Sequence, residues 1–177
     1  MMPSSTELKT MTLDELNRQD RLAFVESVGW VFEHSPWVAD HAWTERPFST
    51  VADLHAAMVA VVRAASSEEQ LALLRAHPDL GSRLNMSQAS TGEQAGAGLQ
   101  QLSQEQFTRL TRLNADYRER FGFPFLLAVK GATTEAVLDA LTRRVGRTVE
   151  QEWAEALTQV ARIARFRLDD LLRDSAK

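Results

Sequence analysis

Two short stretches carry the residue types that can do chemistry. His77-Pro78-Asp79-Leu80-Gly81 closes one helix-like segment, and Ser90-Thr91-Gly92-Glu93-Gln94 opens the next. Together they offer a proton carrier, a carboxylate and an amide. The chain has no cysteine, no paired histidine motif and no glycine-rich phosphate loop. Acid–base work on a small molecule is therefore the main catalytic option left open.

His77 follows the helical pattern Ser67 to Ala76, where the negative end of the helix dipole favours a protonated imidazole, and Pro78 sets the exit direction. The plainer reading is a helix-ending histidine that bonds a terminal carbonyl. Glu93 likewise fits a capping box with Ser90, yet Gln94-Ala95-Gly96-Ala97-Gly98 is a poor isolated helix and permits close approach of a ligand. Ser90, the Gln94 amide and free N–H groups at that helix start could hold an anion or a ureide.

Arg167 carries a periodicity argument. Val149, Trp153, Ala156, Val160, Ile163, Arg167 and Leu171 recur at three- and four-residue steps, which places a guanidinium on the apolar stripe of the last helix. A buried cation needs a partner, either an internal carboxylate or a bound anion, and the sequence leaves both open. Phe121-Gly122-Phe123-Pro124-Phe125 sets three aromatics around a helix stop. The apolar Leu126-Leu127-Ala128-Val129 that follows is expected to be irregular or extended, so its backbone groups need partners, which a planar heterocycle could supply. His34 and His41, with Pro36 between them, do not make a metal motif, and Trp30, Trp37 and Trp43 are expected to pack core.

Bulk properties narrow the partners. A chain of 177 residues that is 44% hydrophobic and 25% charged is that of a globular domain, and disordered or collagen-like classes are excluded. Net charge is -4 and the basic residues are scattered, which argues against nucleic acid. All but Lys9, Lys130 and Lys177 of the 20 basic residues are Arg, a bias that would fit anion recognition but that genome composition explains more simply. No apolar run reaches membrane-spanning length, no stretch reads as a secretory signal, and the C-terminus lacks a Ser-Lys-Leu address. A cytoplasmic location is the expectation, compatible with the absence of cysteine.

The elements that must position these residues are helices. Thr12-x-x-Glu15, Ser66-x-x-Glu69, Ser103-x-x-Gln106 and Thr148-x-x-Gln151 have capping-box form. Val51, Leu54, Met58, Val61, Val62 and Ala65 keep a helical period, as do Leu110, Leu113, Tyr117 and Phe121. Pro78, Gly122 and Gly146 read as helix stops. The expected fold is all-α, a single-domain bundle of about seven to eight helices with no required sheet. Residues 1–11 read as an N-terminal tail, 12–173 as the domain and 174–177 as a C-terminal tail.

Several motifs in order resemble one family. Phe32-Glu33-His34-Ser35-Pro36-Trp37-Val38-Ala39, Arg46-Pro47-Phe48, His77-Pro78-Asp79-Leu80, Ser90-x-x-Glu93-Gln94-Ala95-Gly96-Ala97-Gly98-Leu99 and Phe121-Gly122-Phe123-Pro124-Phe125 are similar to 2-oxo-4-hydroxy-4-carboxy-5-ureidoimidazoline (OHCU) decarboxylase, over about Leu13 to Leu172. The resemblance implies an all-α homodimer that removes CO₂ from that ureidoimidazoline to give (S)-allantoin in urate breakdown, without cofactor or metal. It implies His77 and Glu93 as the catalytic pair. It also implies that Pro78, Ser90, Gln94, Arg167, Phe123, Phe125, Leu126, Leu127, Ala128 and Val129 line the substrate. The substrate's carboxylate sits next to a ring C=N, so the electrons left by CO₂ flow into that imine, and the protein orients the ring and protonates one face. Two other readings stay open from the residues alone: a different lyase or hydrolase on the same scaffold, and a helical small-molecule-binding or interaction module without catalysis.

Overall fold

The structure is a computed structural model, and it describes residues 11–80 and 102–174. Among these residues are eight α-helices: α1 (Leu13–Asn17), α2 (Arg21–Val28), α3 (Trp37–Ala42), α4 (Val51–Ala64), α5 (Ser67–Ala76), α6 (Gln104–Phe121), α7 (Thr134–Arg144) and α8 (Val149–Leu171). Single 3₁₀ turns follow α2 at Gly29–Val31 and α3 at Trp43–Glu45. The fold is all-α, as expected. The one ladder among the described residues is a two-residue parallel pair, β1 (Met11–Thr12) and β2 (Leu172–Arg173), in register Met11 with Leu172 and Thr12 with Arg173. Two residues are too few to show a period-two pattern, so sequence alternation could not announce it.

Helix starts follow the predicted caps. Thr12 Oγ1 accepts from the Glu15 N–H at 3.1 Å. The boxes Ser66/Glu69, Ser103/Gln106 and Thr148/Gln151 are reciprocal, each with bonds of 3.0 to 3.2 Å in both directions. Three further starts use a single side-chain oxygen: Asp20 for α2, Thr50 for α4 and Thr133 for α7. Gly122 ends α6 at φ +80°, donating to the Arg118 carbonyl at 2.8 Å, in a left-handed conformation that a side chain would strain.

The chain forms two compact units, 1–73 with 161–177 and 74–160. In the first, α2 packs on α3 and α3 on α4, and Val51, Leu54, Met58 and Val62 bury the predicted face of α4. The Asp174 carboxylate accepts from the Val51 N–H at 3.0 Å, which satisfies a free donor at the start of α4. The tryptophans depart from expectation. Trp30 is 47% exposed, and Trp37 and Trp43 are half-buried. Arg46 and Arg21 lie over the Trp43 ring with Cζ 3.9 and 5.0 Å from its centroid, while its Nε1 donates to the Gln19 carbonyl at 3.1 Å. An indole that must satisfy its N–H settles at the rim, where guanidinium groups cover its face.

In the second unit α6 packs on α7, and α6 buries Leu110, Leu113, Tyr117 and Phe121, the predicted stripe. Tyr117 is the hub of an aromatic cluster, with ring centroids 4.5 Å from Phe121, 6.0 Å from Phe123 and 5.4 Å from Phe125.

The stripe of α8 differs in phase from the sequence expectation. Its buried positions include Glu152, Ala156, Gln159, Val160, Ala164, Arg167 and Leu168, whereas Val149 is 47% exposed. Reading apolar residues alone skips Glu152 and Gln159, and these are the polar side chains that the core satisfies with partners.

Candidate active site

His77 stands one residue past α5, 5% exposed, with its N–H directed at the Leu74 carbonyl at 3.4 Å. The turn that carries it is held on both sides by groups of the same unit. Arg75 Nε donates to the Gly122 carbonyl at 2.8 Å. Downstream, Asp79 pairs with Arg118 Nη1 at 2.9 Å, and the Leu80 carbonyl accepts from Asn114 Nδ2 at 2.7 Å. Asn114 and Arg118 are one helical turn apart on α6, so they present their donors on one face. A helix end with a proline behind it is thus given a fixed exit by side chains from elsewhere in the chain.

The run from Phe123 to Val129 has no regular secondary structure, as expected, and is buried except at Leu127, which is half-exposed. Two of its main-chain groups are taken by side chains. The Leu126 carbonyl accepts from Arg144 Nη1 at 2.8 Å, and the Ala128 N–H donates to Gln159 Oε1 at 3.0 Å. Between them, the Leu127 main chain makes no hydrogen bond among the described residues. An uncommitted N–H and C=O beside a half-exposed side chain suit a planar ligand that offers both donors and acceptors.

Arg144 is itself wholly buried. Its Nε donates to Glu152 Oε1 at 2.8 Å, and its Cζ lies 4.5 Å from the Phe125 ring centroid. Tyr117 Oη donates to the same Glu152 oxygen at 2.5 Å, and Arg147 Nη1 stands 3.1 Å from Glu152 Oε2. Burial first, and then the hydrogen bond to the Glu152 carboxylate, push the Tyr117 phenol far above the ordinary tyrosine range.

Among the predicted site residues, the Arg75–Gly122 bond joins the His77-Pro78 turn to the Phe123–Val129 run within one unit. Arg167 lies in the other unit. It is buried, as its helical position implies, and its carboxylate partner is Glu33, with Nη2 to Oε1 at 2.8 Å. Its Cζ is 5.9 Å from the Trp30 ring centroid. Ser90, Glu93 and Gln94 lie outside the described residues. The sequence reading missed Arg144, Glu152, Gln159 and Asn114, buried polar side chains whose signal is a polar residue one helical turn from an apolar one on the core face. Among the described residues no three His, Asp or Glu side chains are grouped to hold a metal ion.

A family model described as OHCU decarboxylase matches residues 17–169. The chain belongs to the OHCU decarboxylase family. It is 50% identical over 158 residues to the 2-oxo-4-hydroxy-4-carboxy-5-ureidoimidazoline decarboxylase of Haloferax volcanii, covering 89% of this chain and 94% of that one. It is 43% identical over 166 residues to the uric acid degradation bifunctional protein PucL of Bacillus subtilis, covering 94% of this chain but 34% of that one. A crystal structure of (S)-allantoin synthase superposes with a TM-score of 0.76 at 35% identity, covering 91% of this chain and 54% of that chain. The chain thus spans nearly all of one OHCU decarboxylase and part of two longer proteins. Membership sets aside the reading as a non-catalytic helical module.

Proposed function

We propose that this chain decarboxylates 2-oxo-4-hydroxy-4-carboxy-5-ureidoimidazoline to (S)-allantoin in urate degradation, as a carboxy-lyase working on 12–173. The observation that carries the reading is the shared anchorage of two segments on α6. The helix grips the turn behind His77 through Asn114 and Arg118, and its end at Gly122 leads directly into the Phe123–Val129 run. A proton carrier and an open main-chain edge are held by one rigid element, in a member of a decarboxylase family.

The bond between the carboxylate and the ring breaks, and its electron pair moves into the adjacent C=N while CO₂ departs. His77, poised by Glu93, delivers a proton to one face of the resulting enol-like intermediate, and this makes the product chiral. Orienting the carboxylate perpendicular to the conjugated plane is the protein's main contribution to the bond-breaking step. Pro78, Ser90, Gln94 and the run Phe123, Phe125, Leu126, Leu127, Ala128 and Val129 bind the ring and its ureido arm, the last of these through main-chain groups. Arg167 is assigned to the substrate's negative charge, with Glu33 setting the direction of the guanidinium.

We also assign the chain as a cytoplasmic homodimer. The family resemblance supports the dimer, the cysteine-free composition is compatible with the location, and no described helix is long and apolar enough to cross a membrane. Sedimentation of the purified chain tests the dimer. The activity is tested by generating the substrate in situ from urate with the upstream enzymes and following allantoin by circular dichroism. Faster appearance of the S enantiomer is expected. Racemic product at the spontaneous rate would reject the function.

A further inference from the structure

We propose that Glu152 is a positioning residue for this decarboxylation: it clamps Arg144, and through Arg144 it sets the main chain around Leu126 and with it the face of the substrate that receives the proton. The inference rests on the reading that the Phe123–Val129 run lines the substrate. Glu152 lies in the first turn of α8 with its side chain wholly buried. One carboxylate oxygen accepts from both Arg144 Nε and Tyr117 Oη, and the other faces Arg147. Arg144 then spends its Nη1 on the Leu126 carbonyl. Seven residues along α8 from Glu152, Gln159 takes the Ala128 N–H. One helix therefore holds the run at two points that flank the uncommitted main chain of Leu127.

A buried ion pair can often be replaced by packed apolar groups without loss, but an apolar pair here would leave the Leu126 carbonyl buried and unbonded, so the pair serves this one main-chain group as well as the core. What the charges supply is direction. The planar guanidinium, fixed at one end by Glu152, points its other prong at a single main-chain oxygen. A ring bound against this run inherits its position from that oxygen's neighbours.

The test compares Glu152→Gln and Arg144→Lys with wild type in the in situ assay, measuring KM, kcat and the enantiomeric excess of allantoin alongside thermal melts. A displacement of the run by about an ångström costs on the order of 10²-fold in kcat/KM. The expected outcome is a rise in KM and a fall in enantiomeric excess, in variants that retain wild-type helical content. A purely structural role would lower the melting temperature and leave both KM and enantiomeric excess of the folded fraction unchanged, and that result overturns the inference. Should Glu152→Gln not fold, Arg144→Lys decides, because it keeps the charge pair and loses the two-pronged reach. Wild type that fails to accelerate the reaction overturns the function and this inference together. Active wild type with unchanged variants overturns this inference alone.

Discussion

Arg75 reaches the carbonyl of Gly122 at 2.8 Å, so the residue two before His77 is bonded to the residue one before Phe123. The two segments that the sequence singled out for chemistry are separated by a long stretch of chain and joined by one guanidinium. Gly122 suits this position because its backbone is left-handed, φ +80°, a conformation that a side chain would strain, whereas the space beside the arginine would itself admit a Cβ at an ordinary 3.6 Å.

Arg75→Ala removes that link from a solvent-exposed position. Stability should change by about 1 kcal/mol or less, whereas kcat/KM should fall roughly tenfold as the His77 turn shifts against the Phe123–Val129 run. Urea melts and in situ kinetics check the two quantities separately. Kinetics equal to wild type would show that the other anchors suffice.

His77→Ala should lose about 10²- to 10⁴-fold in stereospecific turnover, the usual loss of one acid–base group. Far-ultraviolet circular dichroism should stay wild-type, since the turn is held by Arg75, Asn114 and Arg118. Near-normal activity in this variant rejects the assignment of His77.

Tyr117 is the single tyrosine of the chain, so its titration is directly visible by absorbance. Burial and the Glu152 hydrogen bond raise its folded pKa far above the unfolded value of about 10. The folded state keeps a proton that the unfolded chain releases. Its contribution to stability is therefore complete below about pH 10 and is lost as pH rises further, at up to about 1.4 kcal/mol per pH unit. Phenolate absorbance should appear only with unfolding, and Tyr117→Phe should flatten the alkaline slope of urea-melt stability. Phenolate seen in the folded protein near pH 10 would contradict the buried hydrogen bond.

Arg167 is paired with a carboxylate that is itself partly exposed, with side-chain exposures of 9% and 21%. Arg167→Met alone should cost about 3 kcal/mol or somewhat less, at the bottom of the range for breaking a buried pair because water still reaches Glu33. Adding Glu33→Gln should restore much of that stability while leaving KM raised, if the guanidinium also serves the substrate. Recovery of both stability and KM in the double variant would assign Arg167 to the internal pair alone.

Local signals in the sequence were sufficient for the helix starts at Thr12, Ser66, Ser103 and Thr148 and for the stripe of α6, though not for the phase of α8. A cap needs residues three apart and a stripe needs residues three or four apart, so Ser103 with Gln106, or Leu113 with Tyr117, announce themselves in any window of the chain. The position of His77 at a helix end and the burial of Arg167 follow from the same short-range geometry, and the irregular Phe123–Val129 run follows from the Gly122 stop. Tertiary structure alone decided which partners these residues have: Glu33 is 134 positions from Arg167, Tyr117 is 35 from Glu152, and Arg144 is 18 from Leu126. Polar residues such as Glu152 and Gln159 look like solvent-facing positions until a distant donor is known. Their burial becomes favourable only when packing brings that donor within bonding distance, and no local pattern encodes that distance.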